Sequence, residues 1–265
     1  MTSELTSTLT MISYMFERFR TTLMWWIVGV TIYTVTNVAV YPAFKDSILL
    51  DMQSYPQGLI DAFGLSNLDQ LGPYLYAQVF LMLPLVLSFL PIMSFAGAIA
   101  GAEERGALDV TLTQPITRRS YVLATWIVSV VSVAIVLLIT GLLAWLTIQL
   151  IGEELGFGDT MLAAWSVFPV TIAVGSIGLI LSARLRSRGA VLGASIALVF
   201  LLYLIDVIGR ISPDLENLRY VSPFRYFDDV FTFTVPVWHY LLLIGMAFAL
   251  LIASIKQFEK RDIYT

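Results

Sequence analysis

Residues 121–150 read YVLATWIVSVVSVAIVLLITGLLAWLTIQL, a run without one charged side chain. A helix of about 20 apolar residues crosses the hydrocarbon core of a membrane, so this run is long enough to span it at a tilt. The chain has five more long apolar runs, at about 21–40, 75–100, 162–182, 190–209 and 237–257. The sequence therefore predicts an all-α integral membrane protein with six transmembrane helices.

The composition of the whole chain agrees with this prediction. Of its 265 residues, 58% are hydrophobic and 13% are charged, and the mean hydropathy is +0.84. Soluble domains carry about 25% charged residues, because their surface faces water. The net charge of −4 argues against a large basic surface for nucleic acid. With no cysteine and one histidine, His239, the chain has no disulfide and no site built from several Cys or His ligands.

Lysine and arginine are distributed unevenly over the segments that join the spans. If the N-terminus is cytoplasmic, eleven of them lie on the cytoplasmic side and four on the outer side. Cytoplasmic loops of membrane proteins carry an excess of these residues. We therefore expect both termini on the inside of the cytoplasmic membrane. One transmembrane domain then covers residues 1–265, with the spans within 21–257 and a cytoplasmic tail at 258–265.

The segment before the first span has an apolar face. Its apolar residues recur at steps of three and four, at Leu5, Leu9, Ile12, Phe16 and Phe19. This spacing predicts an amphipathic interfacial helix over 1–20 that lies along the inner membrane surface. Two roles are open for it, a membrane anchor and a contact with a partner protein.

Two outer segments, at about 41–74 and 210–236, are too long for simple turns and are interrupted by proline and glycine. Short helices are expected in both. The second contains SPFRYF at 222–227, whose aromatic density is typical of a membrane interface. It is either an interfacial belt or an outer gate over a translocation path. The gate residues would be Pro223, Phe224, Arg225, Tyr226 and Phe227.

Asp206 is the one clear acidic residue inside a span, and Arg210 follows it by one helical turn. Residues four apart on a helix can form an ion pair, which is one interpretation. The other is a polar spot that lines the path of a substrate, because charged groups within a membrane are often functional.

The run Gly175-Ser176-Ile177-Gly178 in the fourth span raises the question of a serine protease within the membrane. Such chemistry needs a general base beside the serine, and His239 is expected at the outer edge of the last span. Small residues in membrane helices are typically packing surfaces. We therefore expect this run to pack against a neighbouring span.

The inner segment between spans two and three reads GAEERGALDVTLTQPITRRSY at 101–121. It predicts a short amphipathic helix over Glu103–Gln114, with two acidic residues near its start. Leu108 and Leu112 lie one turn apart on it, and Pro115 ends it. Thr117 can then cap the third span. A short helix projecting from two long spans suits contact with a soluble partner.

The stretch AGAEERGALDVTLTQPITRRSYVLA, at 100–124, closely resembles the signature of type-2 ABC exporter permeases. SYPQGLIDAFG at 54–64, SPFRYFD at 222–228 and the closing FEKRDI are similar to the antibiotic and multidrug exporter branch of that family. The resemblance covers essentially the whole chain. The chain departs from the signature at Ala102, Ala107 and Ala124, whereas the positions expected to matter match it.

The resemblance implies a permease dimer with two separate ATPase subunits, which would bind ATP and Mg²⁺ beneath it. The Glu103–Gln114 helix would then be the coupling helix, with the residues Glu103, Glu104, Gly106, Leu108, Leu112, Pro115, Arg118 and Arg119. This chain has no G-x-x-x-x-G-K-[ST] loop of its own, so ATP hydrolysis is expected in the partner and no cofactor in this chain.

The substrate is not identified by the sequence, and a small molecule or a lipid-like compound fits equally. Two other functions are weighed beside the exporter. A proton-coupled secondary transporter usually needs several membrane-embedded ionisable groups and internal repeats, neither of which is evident. A membrane scaffold that transports nothing is the other alternative.

Overall fold

The chain forms helices joined by turns. The computed structural model describes residues 2–51, 70–108, 117–228, 230–231 and 235–261. In that part, six helices are long and apolar enough to cross a membrane, as the sequence predicts. We number them α1 to α6, with α1 at Thr2–Asp51, α2 at Leu71–Glu104, α3 at Arg118–Leu150, α4 at Phe157–Arg184, α5 at Arg188–Ile211 and α6 at Val237–Glu259.

The first helix differs from the sequence prediction at both ends. It runs without a break from Thr2 to Asp51, so the helix predicted before the first span continues directly into that span. Met11 and Met15 are buried in a cluster with residues of α2 and α3, and Phe16 packs against it. Ile12 and Phe16 of the predicted apolar face therefore pack against this chain's own spans. The first outer segment is shorter than predicted, and residues 52–69 lie outside the described residues.

The second span is irregular, and its prolines explain where. It contains two π-helical turns, at Tyr76–Phe80 and Ala96–Ala100, between the α-helical pieces Leu71–Leu75, Leu83–Leu87, Phe89–Phe95 and Gly101–Glu104. Proline has no N–H to donate and its ring clashes with the carbonyl four residues earlier. Pro84 follows a turn at residues 81–82, and Pro91 follows a turn at Ser88. Such breaks make α2 the span most easily bent.

The second and fourth spans form the centre of the bundle. The most apolar window of α2 is 72% buried and that of α4 is 83% buried, against 28% for each of α1, α5 and α6. The two central helices approach closely at Gly175 and Gly178. A Cβ added at Gly178 would lie 3.1 Å from the Cα of Ile92, and one at Gly175 would lie 2.3 Å from Cγ of Pro91. The small residues of α4 therefore form a packing surface, as predicted.

The bundle has two distinct ends. At one of them, which we call the termini end, α1 begins and α6 ends, and a buried cluster joins the helices there: Met11, Ile99, Val122, Ala183 and Phe258. At the opposite end, the loop end, Lys45 Nζ of α1 lies 3.1 Å from Glu153 Oε1 in the turn between α3 and α4. The loop end also carries two 3-10 helices, Pro213–Val221 and Pro223–Tyr226.

Candidate functional site

The inner segment begins with a helix end. The second span ends at Glu104, and Gly106 follows in the left-handed region with φ +66°. Its N–H donates a hydrogen bond of 2.8 Å to the carbonyl of Glu103, which closes the turn. Glycine takes this conformation without the strain that a side chain brings. The prediction of one helix over Glu103–Gln114 is therefore wrong at its start, because both glutamates lie in the last turn of α2.

Leu108 is fully buried in the cluster at the termini end. From the sequence, Leu108 was assigned to an apolar helix face that contacts a partner. In the structure it attaches the segment to the bundle instead, because its side chain is enclosed by residues of this chain. Leu112 and Pro115, the other two apolar residues assigned to the coupling helix, fall in residues 109–116, outside the described residues.

Glu103 joins the ends of three spans through one arginine. Its Oε2 lies 2.6 Å from Arg261 Nη2, just beyond α6, and its Oε1 lies 3.6 Å from Arg186 Nε. Arg261 also donates hydrogen bonds to the carbonyls of Ser182 (3.0 Å) and Leu185 (3.2 Å), where α4 ends. These carbonyls have no partner within their own helix. Burial lowers the pKa of the Arg261 guanidinium, and the Glu103 carboxylate opposes that shift.

Glu104 and Arg118 also contact this chain. Glu104 Oε2 accepts a hydrogen bond of 3.0 Å from the backbone N–H of Arg188, at the start of α5. Arg118 donates to the last carbonyls of α6, including that of Glu259 at 3.2 Å. Within the described residues, the two glutamates thus contact Arg186, Arg188 and Arg261, and Arg119 is exposed. The predicted cap is confirmed, since the Thr117 side chain accepts from the N–H of Ser120 at 3.1 Å.

The predicted outer gate forms the short 3-10 helix Pro223–Tyr226. Phe224 and Phe227 are each only 3% exposed, which places them in the protein interior. The Phe224 ring packs edge-on against Tyr203 of α5, with 5.4 Å between the centroids, and Phe227 packs against Tyr76 of α2 at 6.0 Å. These two phenylalanines connect the loop end to α5 and α2, whereas the side chains of an interfacial belt would lie at the surface.

The other gate residues have different surroundings. The Arg225 guanidinium lies over the Tyr220 ring at 3.9 Å from its centroid. The Tyr226 ring packs against His239, with 5.3 Å between the centroids, near the start of α6. Pro223 is buried at the start of the 3-10 helix. The single histidine is thus packed among aromatic rings at the loop end, far along the chain from Ser176, whose hydroxyl accepts from Trp126 Nε1 at 3.3 Å.

Asp206 is buried and has two arginine partners. Arg210 Nε lies 2.8 Å from Oδ2, which confirms the predicted ion pair one turn apart. Arg219 Nε lies 2.9 Å from Oδ1, and this partner was missed. It reaches Asp206 across Gly209, where an added Cβ would lie 2.3 Å from Cγ of Arg219. The sequence feature that relates to this contact is Gly209, three residues after the acid, because a glycine leaves room for the arginine side chain.

An apolar groove of about 540 Å³ lies between α1 and α2, beside the break in α2. It is lined by Trp25, Trp26, Gly29, Val30, Tyr33, Met82, Leu83 and Val86. The Tyr33 hydroxyl closes one side by donating to the carbonyl of Gln78. Within the described residues, no group of three His, Asp or Glu side chains is placed to hold a metal ion. The groove suits an apolar or amphipathic molecule better than a polar one.

The comparison with protein families agrees with this architecture. Residues 10–259 match the family model described as "Multidrug efflux system permease Rv1217c, C-terminal domain". A search of curated proteins found no match. The match covers nearly the whole chain, including all six spans, Glu103 and the Asp206 group, and it ends two residues before Arg261. The chain therefore belongs to this family of multidrug efflux permeases and is a multi-pass membrane protein.

Proposed function

We propose that the chain is the transmembrane permease subunit of an ATP-driven exporter of the type-2 ABC class. It works as a homodimer in the cytoplasmic membrane, with both termini inside and two separate ATPase subunits that bind ATP and Mg²⁺. Its substrate is an amphipathic or drug-like small molecule. The observation that carries this proposal is the family match over residues 10–259, combined with the signature at 100–124 at the junction of α2 and α3.

The contacts of the inner segment suit a coupling role. The turn at Gly106 follows directly from α2, so a partner that moves this turn also moves the central span. Glu103 links the same point to Arg261, and Arg261 holds the end of α4. Glu104 links it to the start of α5. A displacement at the termini end is thereby shared among most of the spans, which is what a permease driven by an external ATPase requires.

The proposed movement would bend the irregular second span. The turn at residues 81–82 and the π-helical turns replace regular hydrogen bonds, so the two halves of α2 can change their angle there. Met82, Leu83 and Val86 line the apolar groove beside that break. A tilt of the inner half of α2 therefore changes the shape of the groove. In this mechanism the groove receives the substrate, and the Phe224–Phe227 segment opens at the loop end to release it.

Proton-coupled transport is the less favoured alternative. Asp206 is the acidic side chain best placed within a span, and both of its oxygens are held by guanidinium groups at 2.8 and 2.9 Å. A carboxylate that cycles protons must separate from such partners in every cycle. An ATPase partner removes the need for that step.

Transport in reconstituted vesicles tests the proposal. The chain and a candidate ABC ATPase are placed together in vesicles loaded with ethidium as the probe. We expect ATP-dependent movement of ethidium that vanadate stops and a protonophore leaves unchanged. The control is an ATPase whose phosphate-loop lysine has been replaced. Transport that a protonophore abolishes and vanadate does not would replace the proposal by proton coupling, and a lack of ATPase stimulation by any substrate would favour a scaffold.

A further inference from the structure

A cavity of about 240 Å³ lies at the termini end between α1, α2 and α3. Three arginines from three separate elements line it: Arg18 of α1, Arg105 in the turn after α2, and Arg188 at the start of α5. All three side chains are exposed, so their guanidinium groups are accessible at the mouth of the cavity. Only the tertiary structure brings them together, because they are far apart in the sequence.

The mouth of this cavity carries an excess of positive charge. In the part of the chain that the structure describes, no carboxylate lies within ion-pair distance of these three guanidinium groups. Acidic residues at the same end have other partners, and Glu17, which precedes Arg18, contacts Arg20. Glu103 contacts Arg261, and Glu104 accepts from the backbone N–H of Arg188 rather than from its side chain.

Two of the arginines converge at one point. A Cβ added at Gly101 would lie 3.3 Å from Arg105 Nη1 and 3.4 Å from Arg188 Cδ, so both side chains lie over this glycine. Positive charges that lie near each other repel, and an anion bound between them attracts both. The planar donors of arginine match the oxygens of a phosphate group particularly well.

The lining becomes apolar away from the mouth. Met93 and Val128 line that part, beside the small side chains of Ser94 and Thr125. Met93 lies eleven residues before Glu104, the last residue of α2, which corresponds to roughly 15 Å along the helix axis. The cavity thus extends from a cationic membrane boundary into the hydrocarbon region. An inorganic ion would occupy the mouth alone, whereas a molecule with an anionic head and an acyl chain would fill both parts.

We propose that this cavity binds an anionic phospholipid from the adjacent leaflet. Its phosphate lies among Arg18, Arg105 and Arg188, and one acyl chain follows the apolar lining. Basic pockets between transmembrane helices bind lipid headgroups of this kind. The bound lipid joins α1, α5 and the turn after α2, so it stabilises the arrangement at the termini end. The binding itself does not depend on whether an ATPase drives the protein.

Lipid binding to the purified full chain tests this site. Binding of phosphatidylglycerol and of phosphatidylcholine is measured by native mass spectrometry on the detergent-solubilised protein. The test variant is Arg18→Gln/Arg105→Gln/Arg188→Gln. The control is Arg20→Gln/Arg184→Gln/Lys256→Gln, which removes the same charge at exposed positions of the same end, outside the cavity lining. We expect about tenfold weaker phosphatidylglycerol binding in the test variant and about twofold at most in the control.

A second variant tests the site without changing its charge. Gly97 lines the cavity, and a Cβ added there meets no neighbouring atom within 4 Å. Gly97→Leu therefore adds apolar side-chain volume to the cavity lining at a position where the Cβ has room, and we expect it to weaken phosphatidylglycerol binding as well. The proposal is overturned if both the arginine variant and Gly97→Leu bind phosphatidylglycerol like the wild type, or if the control loses binding equally. Full displacement of the lipid by low-millimolar inorganic phosphate would assign the site to a soluble anion instead.

Discussion

Arg219 Nε lies 2.9 Å from Asp206 Oδ1, although Arg219 belongs to a 3-10 helix outside the spans and follows Asp206 by 13 residues. Arg210 occupies the other carboxylate oxygen at 2.8 Å. The acid is 3% exposed, so it depends on both partners for compensation of its charge. This contact fastens the segment at the loop end to α5 and, through it, holds the aromatic residues that follow.

Replacing Asp206 by Asn should destabilise the protein strongly. The substitution leaves two arginines, each with no more than 15% of its side chain exposed, without a counter-charge. Breaking a buried ion pair from one side costs about 3–5 kcal/mol. The measurement is thermal unfolding in detergent. Glu216→Gln is the control, because its contact with Arg225 is 3.9 Å long and its side chain is 60% exposed. Equal melting temperatures for Asp206→Asn and the wild type would contradict the structural role of the pair.

Gly209→Ala tests how Arg219 reaches the acid. The new methyl group would lie 2.3 Å from Cγ of Arg219 and 3.1 Å from the carbonyl of Leu215, so the arginine must move. We expect a loss of about 1–3 kcal/mol, as for other overpacked sites. Gly193→Ala on the same helix meets no atom within 4 Å and should be neutral or slightly stabilising. In an Arg219→Ala background the cost of Gly209→Ala should fall, and a strictly additive double mutant would argue against the clash.

The Glu103 and Arg261 pair should behave as a unit. Glu103→Gln and Arg261→Gln each leave a largely buried charge without its partner, and each should lower the melting temperature more than the double variant does. The pair is 2.6 Å apart with 16% and 7% of the side chains exposed. Glu17→Gln provides the comparison, because its 4.0 Å contact with Arg20 is exposed and contributes about 0.5 kcal/mol or less. Additive effects of the two single variants would show that the contact does not couple α2 to α6.

Coupling to the proposed ATPase is tested by charge reversal. Glu104→Lys removes the acceptor of the Arg188 N–H and adds a positive charge beside Arg105. We expect weaker retention of the ATPase in a pull-down and slower ethidium efflux. Glu154→Lys, in the turn at the loop end, makes the same charge change and should have a smaller effect.

The apolar residues of the same segment provide a second test. Leu108→Ala with Leu112→Ala should loosen the attachment of the segment to the bundle and thereby uncouple hydrolysis from transport. Because Leu108 is fully buried, its truncation also costs about 2–5 kcal/mol of stability. Melting temperatures must therefore accompany the efflux rates. If this double variant and Glu104→Lys retain the ATPase and export at the wild-type rate, the coupling assignment is wrong.

The proposed gate can be tested by labelling single introduced cysteines, because the chain has no cysteine of its own. Phe224→Cys and Phe227→Cys should react slowly with a bulky membrane-impermeant maleimide in the resting state, because each position is 3% exposed. Reaction should speed up during ATP turnover if the segment opens. Val221→Cys, at a position that is 70% exposed, should react fast in every state. If Phe224→Cys and Phe227→Cys react as fast as Val221→Cys without nucleotide, the segment is not a gate.

Much of this architecture was predictable because it depends on local properties of the chain. A long apolar run enters a membrane whatever its neighbours are, so all six spans were placed correctly. The Arg210 contact follows from helical spacing, and the Thr117 cap follows from the residue type at a helix start. Short helices were expected in the outer segment at 210–236, and two 3-10 helices lie there.

The predictions that differ from the structure concern sequence patterns that two different structures satisfy equally well. An apolar helix face can bury itself in lipid or in protein, and its periodicity is the same in both cases. The segment around Met11 and Met15 packs on protein, and so does Leu108. A glycine within a helical pattern can be tolerated or can end the helix, and at Gly106 the backbone takes the left-handed conformation that ends it.

By itself, then, the sequence determined the membrane class, the number of spans and the contacts made within one helical turn, since these depend on residues adjacent along the chain. Only the tertiary structure decided that Arg219 binds Asp206, that Arg261 binds Glu103 and that three arginines share one cavity. Each of these contacts joins residues from different elements. Their distance is set by how whole helices pack, and no spacing in the sequence encodes it.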